Sequence, residues 1–170
     1  VTWFFLDPER TIPKEPNVIV SPADGKVTEI ISEREPINGK SCKRVTIFLS
    51  VFNVHINRVP IEGTIEDIRY NPGKFLAAFN PKASLDNEQN IIMINNGQSH
   101  IFVKQIAGLI ARRIVCWPKK GDTYKLGQRY GLIRFGSRVD ILLPENTKLS
   151  VNIGDRVSGG KSVIGYLNLN

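Results

Sequence analysis

The amino-acid sequence predicts an all-β fold, a single-domain β-sandwich, on three observations. Short segments rich in β-branched and aromatic residues recur along the chain, and turn signals of Pro, Gly, Asn and Asp separate them. A Gly-Asp segment also occurs twice near the end in almost the same form. A length of 170 residues suits one domain, which at this size buries roughly 70% of the surface its unfolded chain exposes. Hydrophobic residues at 41% and charged residues at 23% are ordinary globular values and exclude a disordered or fibrous class.

Taken in order, Val1 to Leu6 is a very apolar opening, readable as a first strand or as the tail of a membrane-associating segment. Asp7 to Pro16 holds Pro8, Pro13 and Pro16 and is expected to be extended and irregular. Strands are predicted at Val18 to Val20, Lys26 to Ile31, Arg44 to Leu49, Val51 to Val59 and Thr64 to Tyr70. Pro22-Ala23-Asp24-Gly25, Asn38-Gly39 and Pro60-Ile61-Glu62-Gly63 punctuate them. Asn71 to Asn90 breaks the rhythm. It reads either as a short helix covering the core or as a loop of about 20 residues, a length that in compact domains is usually functional or mobile. Strands resume at Ile91 to Ile94, His100 to Ile106 and Gly108 to Trp117, where Arg112 and Arg113 interrupt the apolar run and at least one must reach solvent or an anion. Tyr130 to Phe135 and Val139 to Leu143 then flank Gly136-Ser137, a small-residue corner that needs no chemistry to explain it.

The near-repeat pairs Gly121-Asp122 through Ile133 with Gly154-Asp155 through Tyr166, and in each a second Gly follows six residues after the first. This resembles the turn pattern of biotinyl- and lipoyl-carrier domains, small barrel-sandwich folds. No Lys sits in a hairpin suited to carry a cofactor, so the likeness is one of fold.

A formal charge of +7 points to an anionic partner or surface, for which nucleic acid and anionic phospholipid both qualify. The basic residues are dispersed in pairs, and no aromatic residues interleave with them as a nucleic-acid platform would require. Cys42 and Cys116 match no metal or redox spacing and read as thiols in a reducing compartment. No run reaches the ~18 apolar residues of a membrane-spanning helix.

Three residue types carry possible chemistry. His55 lies in a segment whose alternation puts Asn53, His55 and Asn57 on one face, a polar strip that suits a site wall and equally suits a hydrogen-bonded surface. His100 lies in a polar turn and reads as structural. Asp24 precedes Gly25 in a β-turn, a common pair for conformational reasons alone. Together Ser137, His55 and Asp24 form a hydroxyl, an imidazole and a carboxylate, the set that activates a weak nucleophile.

Several stretches taken together resemble the phosphatidylserine decarboxylases of the short prokaryotic type over nearly the whole chain. They are Phe5-Leu6-Asp7-Pro8-Glu9-Arg10, Ser21-Pro22-Ala23-Asp24-Gly25, Val54-His55-Ile56-Asn57-Arg58-Val59-Pro60, Gly73-Lys74-Phe75 and Asn87-Glu88. The most specific is Gln105 to Ile114 followed at a distance by Phe135-Gly136-Ser137-Arg138-Val139-Asp140.

The resemblance implies self-cleavage between Gly136 and Ser137, giving a large chain 1–136 and a small chain 137–170, with Ser137 converted to a pyruvoyl group and no metal. The pyruvoyl carbonyl would form an imine with the amine of phosphatidylserine and take up the electrons left when carbon dioxide departs. It casts Ser137, His55 and Asp24 as catalytic residues. Longer relatives carry a second His where this chain has Arg58, which leaves the division of labour at His55 open between cleavage and carbon protonation. Phe75, Leu76 and Phe79, with Lys74, Arg112 and Arg113, are the expected contacts to substrate or an anionic membrane surface. The implied location is the cytoplasmic face of the cell membrane, peripheral or anchored by a segment before Val1, with a homodimer compatible and nucleic acid excluded. Competing readings are a decarboxylase of another serine-bearing lipid such as archaetidylserine, and a non-catalytic sandwich that binds anionic lipid.

Overall fold

A computed structural model of the 170-residue chain describes residues 11–49, 55–73, 87–108, 114–133 and 136–168. Every regular element among them is a strand. In chain order they are β1 (Val18–Val20), β2 (Gly25–Arg34), β3 (Ser41–Phe48), β4 (His55–Arg58), β5 (Gly63–Asn71), β6 (Gln89–Asn95) and β7 (His100–Ile106). Then follow β8 (Ile114–Cys116), β9 (Thr123–Tyr124), β10 (Arg129–Ile133), β11 (Arg138–Pro144), β12 (Lys148–Leu149), β13 (Arg156–Val157) and β14 (Val163–Tyr166). The expected all-β class is what the chain adopts.

The strands form an eight-stranded sheet of order β13-β2-β3-β11-β7-β6-β5-β9 and two three-stranded sheets, β1-β14-β12 and β4-β10-β8. One apolar cluster joins them. It takes Ile19 from β1, Ile164 from β14, Ile133 from β10, and Val45, Ile47, Ile92, Ile94, Ile101, Val103, Val139, Ile141 and Leu143 from alternate positions of the central strands. Alternation therefore assigns one face of the large sheet to the core shared with both small sheets.

β11 sits near the middle, paired with β3 along seven residues from Arg138↔Phe48 to Pro144↔Cys42 and with β7 from Arg138↔Ile106 to Leu142↔Phe102. Its other face is buried too: Leu142 packs with Cys42, Ile91, Met93 and Phe102. Asp140, fully buried on that face, accepts a hydrogen bond from Thr46 Oγ1 (2.8 Å) and is paired with Arg138 (3.3 Å) and Arg44 (3.7 Å). Arg44 continues to Glu33 at 2.6 Å and Glu29 at 3.4 Å, so a buried carboxylate is compensated by a network that ties β2 and β3 to β11.

The fold repeats itself about an approximate two-fold axis between β11 and β7. The large sheet reads alike from both ends when β13 is matched to β9, β2 to β5, β3 to β6 and β11 to β7, and the two small sheets match as well. Details agree. A register shift falls between Val27 and Glu29 in one half and between Ile65 and Asp67 in the other. A Cβ on Gly25 would meet Phe48 O at 2.3 Å and Ile47 Cγ2 at 2.8 Å, and one on Gly63 would meet Asn95 O at 2.5 Å and Ile94 Cγ2 at 2.8 Å.

The Gly-Asp near-repeat is the most legible trace of this symmetry. Asp122 Oδ2 accepts from Lys119 N and Asp155 Oδ2 from Asn152 N, both at 2.8 Å, and Gly121 and Gly154 take φ of 98° and 99°.

Three expectations change in extent. β2 runs on to Arg34, past the last apolar residue, because its ladder with β3 continues to Arg34↔Ser41. Within the described residues, strand structure covers only His55–Arg58 of the segment expected from Val51 to Val59, and Ile114–Cys116 of that from Gly108 to Trp117.

Candidate active site

Cross-strand register defines one end of the large sheet. A continuous row runs Arg156, Lys26, Phe48, Arg138, Ile106, Gln89, Asn71 across β13, β2, β3, β11, β7, β6 and β5. Ser137 lies one residue beyond this row on β11, and Asp24 two residues beyond it on β2. Only β3 separates their strands, so their backbones stand about 10 Å apart at the usual strand spacing.

Ser137 is 1% exposed, and its carbonyl accepts a hydrogen bond from Leu49 N at 2.9 Å. Gly136 before it has φ of +72°, and an added Cβ would meet no atom within 4 Å. Glycine is therefore required there by backbone conformation rather than by space; another residue would carry roughly 1–2 kcal/mol of strain. Ser137 Oγ accepts a hydrogen bond from Gly108 N at 3.2 Å. Gly108 follows Ala107, which is clamped by two hydrogen bonds, Ala107 N to Glu88 O at 2.9 Å and Asn87 Nδ2 to Ala107 O at 3.2 Å. The Glu88 carboxylate accepts from Ile114 N at 3.1 Å and from the Tyr70 hydroxyl, fastening the same region to β8 and β5.

His55 is 7% exposed and opens β4. Register sets it opposite Ile133, the last residue of β10, four residues before Ser137 and so within ~14 Å of it along the chain. Alternation puts His55 on the same side of β4 as Asn57. The side chain of Asn57 crosses to the large sheet, where Gln105 Nε2 of β7 donates to its Oδ1 at 2.8 Å. Asn90 Nδ2 of β6 donates in turn to Gln105 Oε1 at 3.3 Å. All three amides are buried, so a polar seam runs between the sheets beside the apolar core. Cys116 borders it. Burial pushes its thiol up to about 11, against a hydrogen bond with Asn90 that acts in the opposite sense.

Asp24 is half-buried, and its Oδ1 accepts from Gly159 N at 2.6 Å. The turn that holds it is tied to β4 through Arg58 N, which donates to Pro22 O at 2.8 Å. Ser137, His55 and Asp24, widely separated in sequence, are thus brought to one end of the molecule.

Other expected residues fall elsewhere. Phe75, Leu76, Phe79, Lys74, Arg112 and Arg113 lie outside the described residues, as does Asn53. His100 is at the opposite end of the large sheet, with Nε2 2.9 Å from Glu66 Oε2. Cys42 and Cys116 are both free thiols. Among the described residues no group of three His, Cys, Asp or Glu side chains could hold a metal ion. The sequence reading did not single out Gly108, Gln105 or Glu88 for a role. Their contacts bridge strands far apart in the chain, and the only signal for them was their presence in the family-like stretches.

Comparison with known proteins places this sequence in a family. A family profile described as "Phosphatidylserine decarboxylase" matches residues 1–165. The phosphatidylserine decarboxylase proenzyme of Chlorobium phaeobacteroides is 48% identical over 165 residues, covering 97% of this chain and 78% of that protein. That of Geotalea uraniireducens is 48% identical over 168 residues, covering 98% and 79%. The proenzyme of Ralstonia nicotianae is 45% identical over 169 residues, covering 99% and 79%. No solved structure matches the chain. With a profile spanning the strands that carry Ser137, His55 and Asp24, and relatives aligned over almost every residue described above, the chain belongs to the phosphatidylserine decarboxylase family.

Proposed function

We propose that the chain cuts itself between Gly136 and Ser137, converts Ser137 to a pyruvoyl group, and then decarboxylates phosphatidylserine to phosphatidylethanolamine. The observation that carries this reading is the placement of Ser137. A buried hydroxyl follows a positive-φ glycine at the start of a central strand and is held by a backbone amide from another strand's end.

In the first step Ser137 Oγ adds to the carbonyl carbon of Gly136, the C–N bond breaks, and the Oγ proton passes to the Ser137 nitrogen, turning an amide into an ester. Because Oγ accepts from Gly108 N, its own hydrogen is left to point at a base, the role of His55 in this scheme. Asp24 orients that imidazole and balances its charge. In the second step the Ser137 Cα proton is removed and Cβ–Oγ breaks, so Oγ leaves as part of the Gly136 carboxylate. Hydrolysis of the resulting dehydroalanine end releases ammonia and leaves the ketoacid. The site suits this group: the nucleophile, a conformationally constrained carbonyl donor and a buried amide donor are all contributed by the chain.

Once formed, the pyruvoyl carbonyl supplies the electron sink that decarboxylation of an amino acid needs. In this reading His55 also returns a proton to the substrate carbon.

Residues 137–170 would not drift away after cutting. They contribute β11, seated between β3 and β7, and β14, seated between β1 and β12. The anionic partner is a membrane surface, at the cytoplasmic face of the membrane in our reading. Arg156, Lys26, Phe48 and Arg138 support this assignment, because they line one face of the sheet in adjacent strands and Phe48 is 45% exposed.

The test is carbon dioxide released from carboxyl-labelled phosphatidylserine in mixed vesicles. Release by the wild type and none by Ser137→Ala is expected. Release only from archaetidylserine would change the substrate, and release by Ser137→Ala would refute the mechanism.

A further inference from the structure

Gly108 touches both reacting groups. Its N–H donates to Ser137 Oγ at 3.2 Å. Its Cα is packed against the peptide group to be cut: a Cβ there would stand 2.3 Å from Gly136 O, 3.0 Å from Gly136 C and 3.7 Å from Ser137 N. Gly108 is not among the glycines of positive φ, so glycine is needed at this position for close approach and not for backbone freedom.

Other glycines approach carbonyls as closely, but in a different setting. Gly131 lies 2.3 Å by the same measure from Val115 O and Gly165 2.4 Å from Lys148 O, each across a regular strand pair. Gly108 lies beyond the end of β7 and meets the Gly136–Ser137 peptide.

From this we infer that Gly108 is a catalytic element of self-cleavage. The inference rests on the proposed cutting of the Gly136–Ser137 bond. Its backbone holds the hydroxyl oxygen and the carbonyl in one arrangement, the near-attack geometry on which intramolecular reactions depend. Its N–H acts on the same atom twice. In the first step it stabilises charge on Oγ as the proton leaves, and in the second it stabilises Oγ as that oxygen departs within the Gly136 carboxylate. No proton is taken from or given to Gly108 in either step. The donor is a main-chain amide, so no side-chain substitution could reveal it by removing a functional group. The glycine is exposed to test only through its missing Cβ.

The experiment follows cleavage in time for wild type, Gly108→Ala and Gly165→Ala, with folding checked by thermal melting and circular dichroism. Gly165→Ala introduces a comparable clash in the β12–β14 pair, which contains neither Gly136 nor Ser137. The expected result is a folded Gly108→Ala protein cut at least ~100-fold more slowly than wild type, while folded Gly165→Ala is cut at the wild-type rate.

Cutting of Gly108→Ala within about threefold of wild type would overturn the inference, as would equal slowing of both variants in step with lost stability. Hydroxylamine, which cuts esters, sharpens the result. Rapid cutting of Gly108→Ala by hydroxylamine assigns the contact to the elimination step, and resistance assigns it to ester formation.

If Gly108→Ala does not fold, the Gly108 amide proton is read by NMR in the uncut His55→Ala precursor. It should exchange slowly there and lose that protection when Ser137→Ala is added; unchanged exchange would overturn the inference. Failure of the wild type itself to be cut would refute the proposed function rather than this addition to it.

Discussion

The two ends of the large sheet are built alike: one carries Ser137 with Asp24 and His55, and the other carries Ser99 with Glu62 and His100, the last 2.9 Å from Glu66. At one end Leu49 N donates to Ser137 O at 2.9 Å, and at the other Asn96 N donates to Ser99 O at 3.2 Å. Asp24 before Gly25 corresponds to Glu62 before Gly63, and Arg138 to His100.

What differs is the company these residues keep. Ser99 belongs to the short polar turn that joins β6 to β7, whereas Ser137 is reached from β10 in another sheet and is closed in by Gly108. Between the sheets the first end has the buried amides Asn57 and Gln105, and the matching positions at the other end are the buried apolar Ile19 and Leu143. Among the described residues, clefts of about 370 Å³ and 250 Å³ include Asn96, Gln98, Ser99 and His100 in their walls and so lie at the Ser99 end. A shared scaffold therefore supplies strand ends, and the chemistry depends on what is packed around one of them.

Substitutions at matched positions can break this comparison. The largest contrast is expected between the two serines: Ser137→Ala should abolish cutting and activity, and Ser99→Ala should leave both intact by gel and by carbon dioxide release. Loss of cutting in Ser99→Ala would mean that the two ends are not independent. Next, His55→Ala and Asp24→Asn should leave a folded, uncut precursor, while Glu62→Gln should cut normally. Normal cutting in both of the former would show that neither His55 nor Asp24 serves in self-cleavage.

A smaller effect is expected from the polar seam. Gln105→Leu leaves the Asn57 carbonyl without its partner and should cost about 1–3 kcal/mol in denaturant unfolding. The pair Asn57→Ile with Gln105→Leu, which copies the apolar end, should cost less than the single change. A double variant less stable than Gln105→Leu would show that the seam is not a replaceable polar pair.

The smallest effect is on alkaline stability. Burial raises the thiols of Cys42 and Cys116 from 9.0 to about 11. Burial also pushes the Tyr130 hydroxyl up. For these acids the folded state favours the neutral form. The contribution of the two thiols is therefore complete below the unfolded pKa and is lost as pH rises from 9.0 towards about 11. Melting temperatures should fall across that window, less steeply in Cys116→Ser; an unchanged slope would show that Cys116 is not part of the effect.

Much of this fold was legible because its signals are local. Alternation and turn residues marked Val18–Val20, His100–Ile106 and the core of β11, and the doubled Gly-Asp segment registered one matched pair of strand entries. The full two-fold arrangement was not legible. β2 and β5 share glycine contacts, a register shift and a Pro-x-acid-Gly entry, Pro22 to Gly25 and Pro60 to Gly63. That likeness is short and rests on similar rather than identical residues, so it stands out less than the doubled Gly-Asp segment.

At the candidate site, Ser137, His55 and Asp24 were singled out by residue type and family likeness, and nothing in their spacing showed that β2, β4 and β11 would bring them to one end of the sheet. Gly108 was less visible still. A glycine whose function is close approach looks like any other until its neighbour 29 residues away is known.

The central claim is that one end of the sheet cuts its own chain, and the intact mass of freshly purified wild-type protein tests it most directly. Two chains should appear, the smaller covering residues 137–170 with a ketoacid in place of its first amine and therefore refractory to sequencing from that end. A single unbroken chain in protein that is active on phosphatidylserine would contradict the account.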